Sequence, residues 1–472
     1  MIVGRSKELA ILRGAAKDAD SHFISVYGRR RIGKTFLIRE AYDYRFTFQH
    51  AGVSQADKKS QLFAFDASLK EAGYVPSSPS RDWMQAFENL KELVRASREK
   101  KKIIFLDELS WMDTPRSDMM PALEHFWNGW ASARRDIVLI VCASATSWML
   151  NKVIHNKGGL YNRLTERIRL EGFRLAECEE YVKARGLAMN REQILQYYMI
   201  FGGVPYYWSF LQKGLSVPQN VDAALFAKDA PLRDEFRYLY ASIFKNPEGY
   251  VRIVAALGKK KAGMTREELL DAAGLTNSGD ISEKLEELES CGFIRRYDSF
   301  GRKKKLALYQ LTDAFTLFYY RFLESNPTDG QFWTNRWNTP TVNTWLGLAF
   351  ERVCLEHTEQ IRHKLGISGV LTDVQSWYCK ADAEAGLFGS QIDLLLVRAD
   401  RVINLCEMKY SGAEFAVTEK TLKDLRRKAS DLRQATGTRC TIHNTLVTPY
   451  GLVDNAAAGE IQAVITMDDL FC

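Results

Sequence analysis

A chain of 472 residues, 46% hydrophobic and 26% charged, has the composition of a globular protein and the length for roughly two to four domains. No apolar run reaches the roughly eighteen residues of a membrane span, and the first residues lack the apolar core of a signal peptide. The eight cysteines are scattered without a C-x-x-C pair. That spacing argues against structural zinc and a disulfide framework, and a cytoplasmic protein with no membrane partner is expected. The net charge of +7 permits a nucleic-acid partner, but where the charge sits matters more than its total.

The first predicted element is a short amphipathic helix after Gly4-Arg5, carrying Leu9, Ile11 and Leu12. A β-rich run, Phe23-Ile24-Ser25-Val26, then leads into Gly28-Arg29-Arg30-Arg31-Ile32-Gly33-Lys34-Thr35, and Phe36 continues into a helix. The pattern fits G-x-x-x-x-G-K-[ST] between strand and helix, which is a phosphate-binding loop. Its backbone N–H groups and the helix N-terminus suit the phosphates of ATP. Lys34 is expected on the β- and γ-phosphates and the Thr35 hydroxyl on Mg²⁺.

Farther on, Ile103-Ile104-Phe105-Leu106 runs into Asp107-Glu108, a buried parallel strand with acids at its C-terminal end. Asp107 is expected to hold Mg²⁺ and Glu108 to polarise the attacking water. Two acids after a strand can also cap a helix. The next strand, Ile137 to Ala143, ends at Ser144-Ala145-Thr146. Ser144 is the candidate polar residue near the γ-phosphate, with Thr146 second.

Gly4-Arg5, the glycine-rich loop, Phe105-Leu106-Asp107-Glu108, Ala143-Ser144-Ala145-Thr146-Ser147-Trp148-Met149, Leu160-Tyr161-Asn162-Arg163 and Phe201-Gly202-Gly203-Val204-Pro205-Tyr206 occur in that order. The series resembles the archaeal-type ATPases, relatives of AAA and STAND proteins, over roughly the first half of the chain. The resemblance implies a P-loop parallel sheet over residues 1–170, followed by a helical lid over 171–240. It also implies that Arg163 reaches a nucleotide as a finger and that Pro205 lies near the adenine. Arg163 reads equally well as a surface salt-bridge partner.

Residues 241–323 are predicted as a winged helix-turn-helix. Helices begin at Tyr250, Thr265 and Asp280, and a hairpin pairs Phe293–Tyr297 with Lys305–Leu311. The would-be recognition helix is acidic, with Glu283, Glu286, Glu287 and Glu289, and phosphates repel it. Arg302, Lys303, Lys304 and Lys305 make the wing basic. Such a wing would grip a DNA backbone without reading bases, or form a solvated turn.

A Pro/Gly-containing stretch at 324–330 marks a boundary. Residues 331–472 begin with a helix through Glu351. Two strands follow, one holding Gln391-Ile392-Asp393-Leu394 and the other Cys406-Glu407-Met408-Lys409. In a hairpin Asp393 and Glu407 would lie side by side, with Lys409 on the same face, which would suit Mg²⁺. Isoleucine-Asp-Leu-Leu followed by Glu-Met-Lys resembles the PD-(D/E)XK nucleases. That resemblance implies a mixed α/β restriction-endonuclease-like domain with Glu351, Asp393 and Glu407 as metal ligands and Asp393, Glu407 and Lys409 as catalytic residues.

The chain is thus expected to be a multidomain α/β protein. It would be either an ATPase coupled to a DNA nuclease or an ATP-dependent switch that binds DNA or protein through an inactive nuclease-like domain. A homo-oligomer is a further expectation, since a finger such as Arg163 can act in trans.

Overall fold

A computed structural model describes residues 2–155, 158–244, 246–297, 300–301 and 307–472. The chain divides into two units, Met1–Gly172 and Phe173–Cys472. Among the described residues no helix is long and apolar enough to cross a membrane.

The first unit is built on five strands: β1 (His22–Tyr27), β2 (Phe48–Ala51), β3 (Lys102–Asp107), β4 (Ile137–Ala143) and β5 (Glu166–Arg169). They form one sheet in the order β2-β3-β4-β1-β5, and every neighbouring pair is parallel. Apolar residues alternate between two cores. Phe23, Ile104, Leu106, Leu139 and Val141 face the helices Lys58–Glu71, Trp83–Ala96 and Met119–Gly129. Ile24, Val26, Phe105, Val138 and Ile140 face Leu9, Leu12, Leu37 and Ile38. Burial on both faces explains why β3 and β4 read as continuous apolar runs. The register aligns Tyr27 with Ala143 and Leu106 with Val141, so three strands end together at one edge. In open α/β sheets that carboxyl edge is where ligands bind.

The second unit begins with helices from Leu175 onward. Glu248–Gly258, Arg266–Ala273 and Gly279–Ser290 precede an antiparallel pair, β6 (Ile294–Tyr297) and β7 (Leu308–Leu311). Thr265 caps the middle helix in a reciprocal box with Glu268, and Gly274 ends it in the left-handed region. On the acidic third helix, Glu287 accepts from Tyr250. Glu289 accepts from the Arg296 backbone at 3.1 Å. The basic residues Arg302, Lys303, Lys304 and Lys305 lie outside the described residues.

A mixed sheet closes the unit: β8 (Thr372–Cys379), β9 (Ser390–Arg398), β10 (Val402–Met408), β11 (Thr441–Val447) and β12 (Ala463–Ile465). The order is β12-β11-β10-β9-β8. The β8–β9 and β9–β10 pairs are antiparallel, and the other two are parallel. Helix Glu419–Thr436 makes the crossover that the parallel β10–β11 pair requires. One apolar cluster runs from Phe173 through Phe293 and Phe350 to Phe471, so the expected lid, hairpin region and final sheet share a core.

Candidate nucleotide site and C-terminal sheet

Local geometry at the glycine-rich loop selects its residues. Gly28 has φ +143°, and a Cβ there would sit 2.2 Å from the Leu170 carbonyl oxygen. Gly33 precedes helix Lys34–Ala41 with φ +89°, a conformation glycine adopts at no steric cost. Arg31 also has positive φ, at 73°. Ile32 is buried in the core beneath the loop, and Phe36 is 43% exposed.

Lys34 is 5% exposed, and its Nζ donates to three uncharged oxygens. These are the Gly28 and Arg29 carbonyls, both at 2.9 Å, and Ser144 Oγ at 3.1 Å. Among the described residues no carboxylate accepts from it, so the ammonium stands at the helix N-terminus outside any ion pair. Phosphate oxygens suit such a position.

Thr35 Oγ1 donates to Asp107 Oδ2 at 2.8 Å. One hydroxyl and one carboxylate in contact fit a magnesium ion, which keeps most of its waters and takes few protein ligands. The Asp107 carboxylate also accepts from the Glu108 backbone at 3.0 Å. Glu108 itself lies in the left-handed region (φ 47°), a strained conformation for a residue with a side chain. That backbone turn brings its carboxylate to the end of β4. There Glu108 Oε2 accepts from the Ser144 backbone N–H at 3.0 Å, and Oε1 accepts from Ser144 Oγ at 2.5 Å. Lys34, Thr35, Asp107, Glu108 and Ser144 are therefore joined in one hydrogen-bonded group. Thr146 is 1% exposed, and its buried hydroxyl makes no hydrogen bond among the described residues.

The structure adds a role for Arg5, which precedes the first helix, Ser6–Lys17. Arg5 is 8% exposed and donates to the Glu171 carbonyl at 2.6 Å. It pins the segment whose Leu170 carbonyl crowds Gly28. Arg163 lies on an exposed turn before β5, with its backbone N–H on the Leu160 carbonyl at 3.1 Å. Pro205 belongs to the second unit and opens the short helix Pro205–Trp208. The preceding Gly203 is dictated by packing within that unit, because a Cβ there would lie 1.9 Å from the Phe173 carbonyl oxygen.

In the C-terminal sheet the expected cation ligands Asp393, Glu407 and Glu351 lie on β9, β10 and helix Pro340–Glu356. Between Gln375 and Trp377 on β8 the partners on β9 jump from Leu395 to Ile392. This is a β-bulge with its extra residue at Asp393–Leu394, and it breaks the alternation of faces. Ile392 and Leu395 consequently share one core with Leu405 and Leu425. Leu394 lies in the other core, with Cys406 and Phe350.

Asp393 Oδ1 accepts from Gln391 Nε2 at 2.6 Å. Its charge is felt by Arg352 and Glu351, both on helix Pro340–Glu356. Glu407 is held on the side of helix Glu419–Thr436, by Lys428 at 2.6 Å and Lys409 at 2.7 Å. Burial alone would raise the Glu407 carboxyl; the two lysines overcome it and hold the group below its ordinary value. Glu351 pairs with Lys261 at 2.7 Å. Burial first, and then the Asp393 charge, push the Glu351 carboxyl up. Lys409 feels the Glu351 charge as well as that of Glu407, and among the described residues no three His, Cys, Asp or Glu side chains are grouped to hold a metal.

A parallel sheet with a phosphate-type loop, two acids and a hydroxyl at one edge defines a P-loop nucleotide-binding domain. Residues 2–209 match the family described as the ATPase domain predominantly from Archaea. An uncharacterized protein of Methanocaldococcus jannaschii is 24% identical over 435 residues, which is 91% of this chain and 92% of that protein. Among solved structures, the Walker-type ATPase of Pyrococcus abyssi is 13% identical with a TM-score of 0.45, covering 68% of this chain and 96% of that one. The Aeropyrum pernix ORC2 protein, solved with ADPNP and ADP, is 17% identical with a TM-score of 0.32, covering 66% and 90%.

Proposed function

We propose that the chain binds ATP with Mg²⁺ on its first unit and hydrolyses it. The observation that carries this is the hydrogen-bonded group joining Lys34, Thr35, Asp107, Glu108 and Ser144. Lys34 and the loop amides hold the phosphates, and Thr35 and Asp107 hold the cation. Glu108 acts as general base on water, and Ser144 links that base to the lysine that contacts phosphate. Arg163 serves a neighbouring copy, a reading that its exposure on the turn supports. In this reading Lys34→Ala abolishes ATP binding in an equilibrium titration of the full chain. Unchanged affinity in that variant overturns the reading.

A second reading concerns the C-terminal sheet, which we take to be a nuclease-like scaffold that binds DNA without cutting it. The lysine partners of Glu407 favour this over cleavage, because they already neutralise a carboxylate that a cation would need. Lys420, Lys423 and Arg427 are exposed on helix Glu419–Thr436 and can meet a DNA backbone. Duplex DNA incubated with the chain and Mg²⁺ or Mn²⁺ should stay intact while its mobility shifts. Cleavage that disappears in Glu407→Ala would restore the nuclease reading.

A further inference from the structure

Within the second unit, helix Pro340–Glu356 and the turn after helix Glu248–Gly258 border a cavity of about 300 Å³. Its apolar wall includes Trp345, Leu348, Leu317 and Met199. Five cationic side chains (Lys259, Lys260, Lys261, Arg321 and Arg352) line it against one carboxylate, Glu356. That carboxylate already has a partner, the Tyr198 hydroxyl at 3.1 Å. Lys260 and Lys261 are paired with Glu268 and Glu351 at 3.0 and 2.7 Å.

Arg352 is different. It is 7% exposed, and its Nη2 donates to the Lys261 carbonyl at 2.9 Å. Its Nη1 is buried and has no hydrogen-bond partner among the described residues. A buried charged donor left unmade is costly and uncommon, so the group calls for an acceptor. Burial lowers the affinity of Arg352 for its proton, and the nearby charges of Asp393 and Glu351 oppose that.

We propose that this cavity binds a small organic anion, with its carboxylate or phosphate on Arg352 Nη1 and its apolar body against Trp345 and Leu348. The volume lies at the lower end of ligand pockets, which run from about 300 to 1,000 Å³. It suits a compact aromatic or branched acid better than a dinucleotide. None of its residues belongs to the nucleotide loop, so the site is independent of the ATPase reading.

The test is calorimetric titration of the full chain with benzoate, phenyl phosphate and inorganic phosphate. The nucleotide loop is first saturated with a non-hydrolysed ATP analogue and Mg²⁺. At least one organic anion should bind at a single site, and the tighter of the two tells carboxylate from phosphate. Inorganic phosphate, lacking the apolar body, should bind about tenfold more weakly or less. Arg352→Met should weaken the organic anion by about 10- to 100-fold, the worth of a hydrogen bond to a charged group. Leu348→Trp should block binding by filling the wall while leaving Arg352 in place, and it decides the matter if Arg352→Met fails to fold. The proposal is overturned if neither organic anion binds, if either folded variant binds as wild type does, or if inorganic phosphate binds as tightly as the organic anions.

Discussion

Gly28 shows how one residue type fixes the phosphate loop. Its φ of +143° is open to glycine, and the Leu170 carbonyl occupies the space a methyl group would need. Gly28→Ala therefore has to displace either the loop or the segment that Arg5 holds through Glu171. A positive-φ clash of this kind costs on the order of 1–3 kcal/mol. The variant should lower the thermal midpoint of the first unit and weaken ATP binding together. A variant with wild-type melting and wild-type affinity would show that the loop has room the geometry denies it. Ser144 illustrates the other side of residue-scale reading. Its place at a strand end is visible in the sequence, but its two hydrogen bonds to Glu108 depend on the left-handed turn at Glu108, which no pattern announces.

Among the elements, helix Pro340–Glu356 ends on a buried histidine with a defined tautomer. His357 Nδ1 donates to the Val353 carbonyl at 2.8 Å, and Nε2 accepts from the Leu175 backbone N–H at 3.2 Å. A second proton would set two donors against each other. Burial accordingly pulls the imidazole down to about 4 from its usual 6.5. Because the folded value lies below the unfolded one, the unfolded chain binds more protons between those two values. Stability should thus be intact above pH 6.5 and fall as the pH drops toward 4, by up to about 3 kcal/mol. Denaturant melts of the wild type and a His357→Gln variant across that window test this. A wild-type profile as flat as the variant's would contradict it. The strands were largely legible. β3 and β4 are buried on both faces and announce themselves as unbroken apolar runs, and Ile137–Ala143 matches its predicted span. The bulge at Asp393–Leu394 was not legible. Ser390–Val397 reads as an ordinary strand, and the extra residue shows only against its partner β8, a long-range pairing with no local signature.

For the whole molecule, the two units differ in how their motif residues are partnered. In the first, motif, strand order and side-chain contacts agree from independent directions, which is the consistency expected of a functional site. In the second, the short signatures around Asp393 and Glu407 are present, with Asp393 held by the Gln391 amide and Glu407 by two lysines. The central claim is that Glu108 activates water beside a nucleotide held by Lys34, and Glu108→Gln isolates it. The amide keeps the length and shape of the side chain and loses the basicity. Side-by-side measurement of ATP affinity and steady-state phosphate release should give near wild-type binding with turnover reduced by about 10²–10⁴-fold. Phosphate release at the wild-type rate in a variant that still binds ATP would contradict the assignment and move the general base elsewhere.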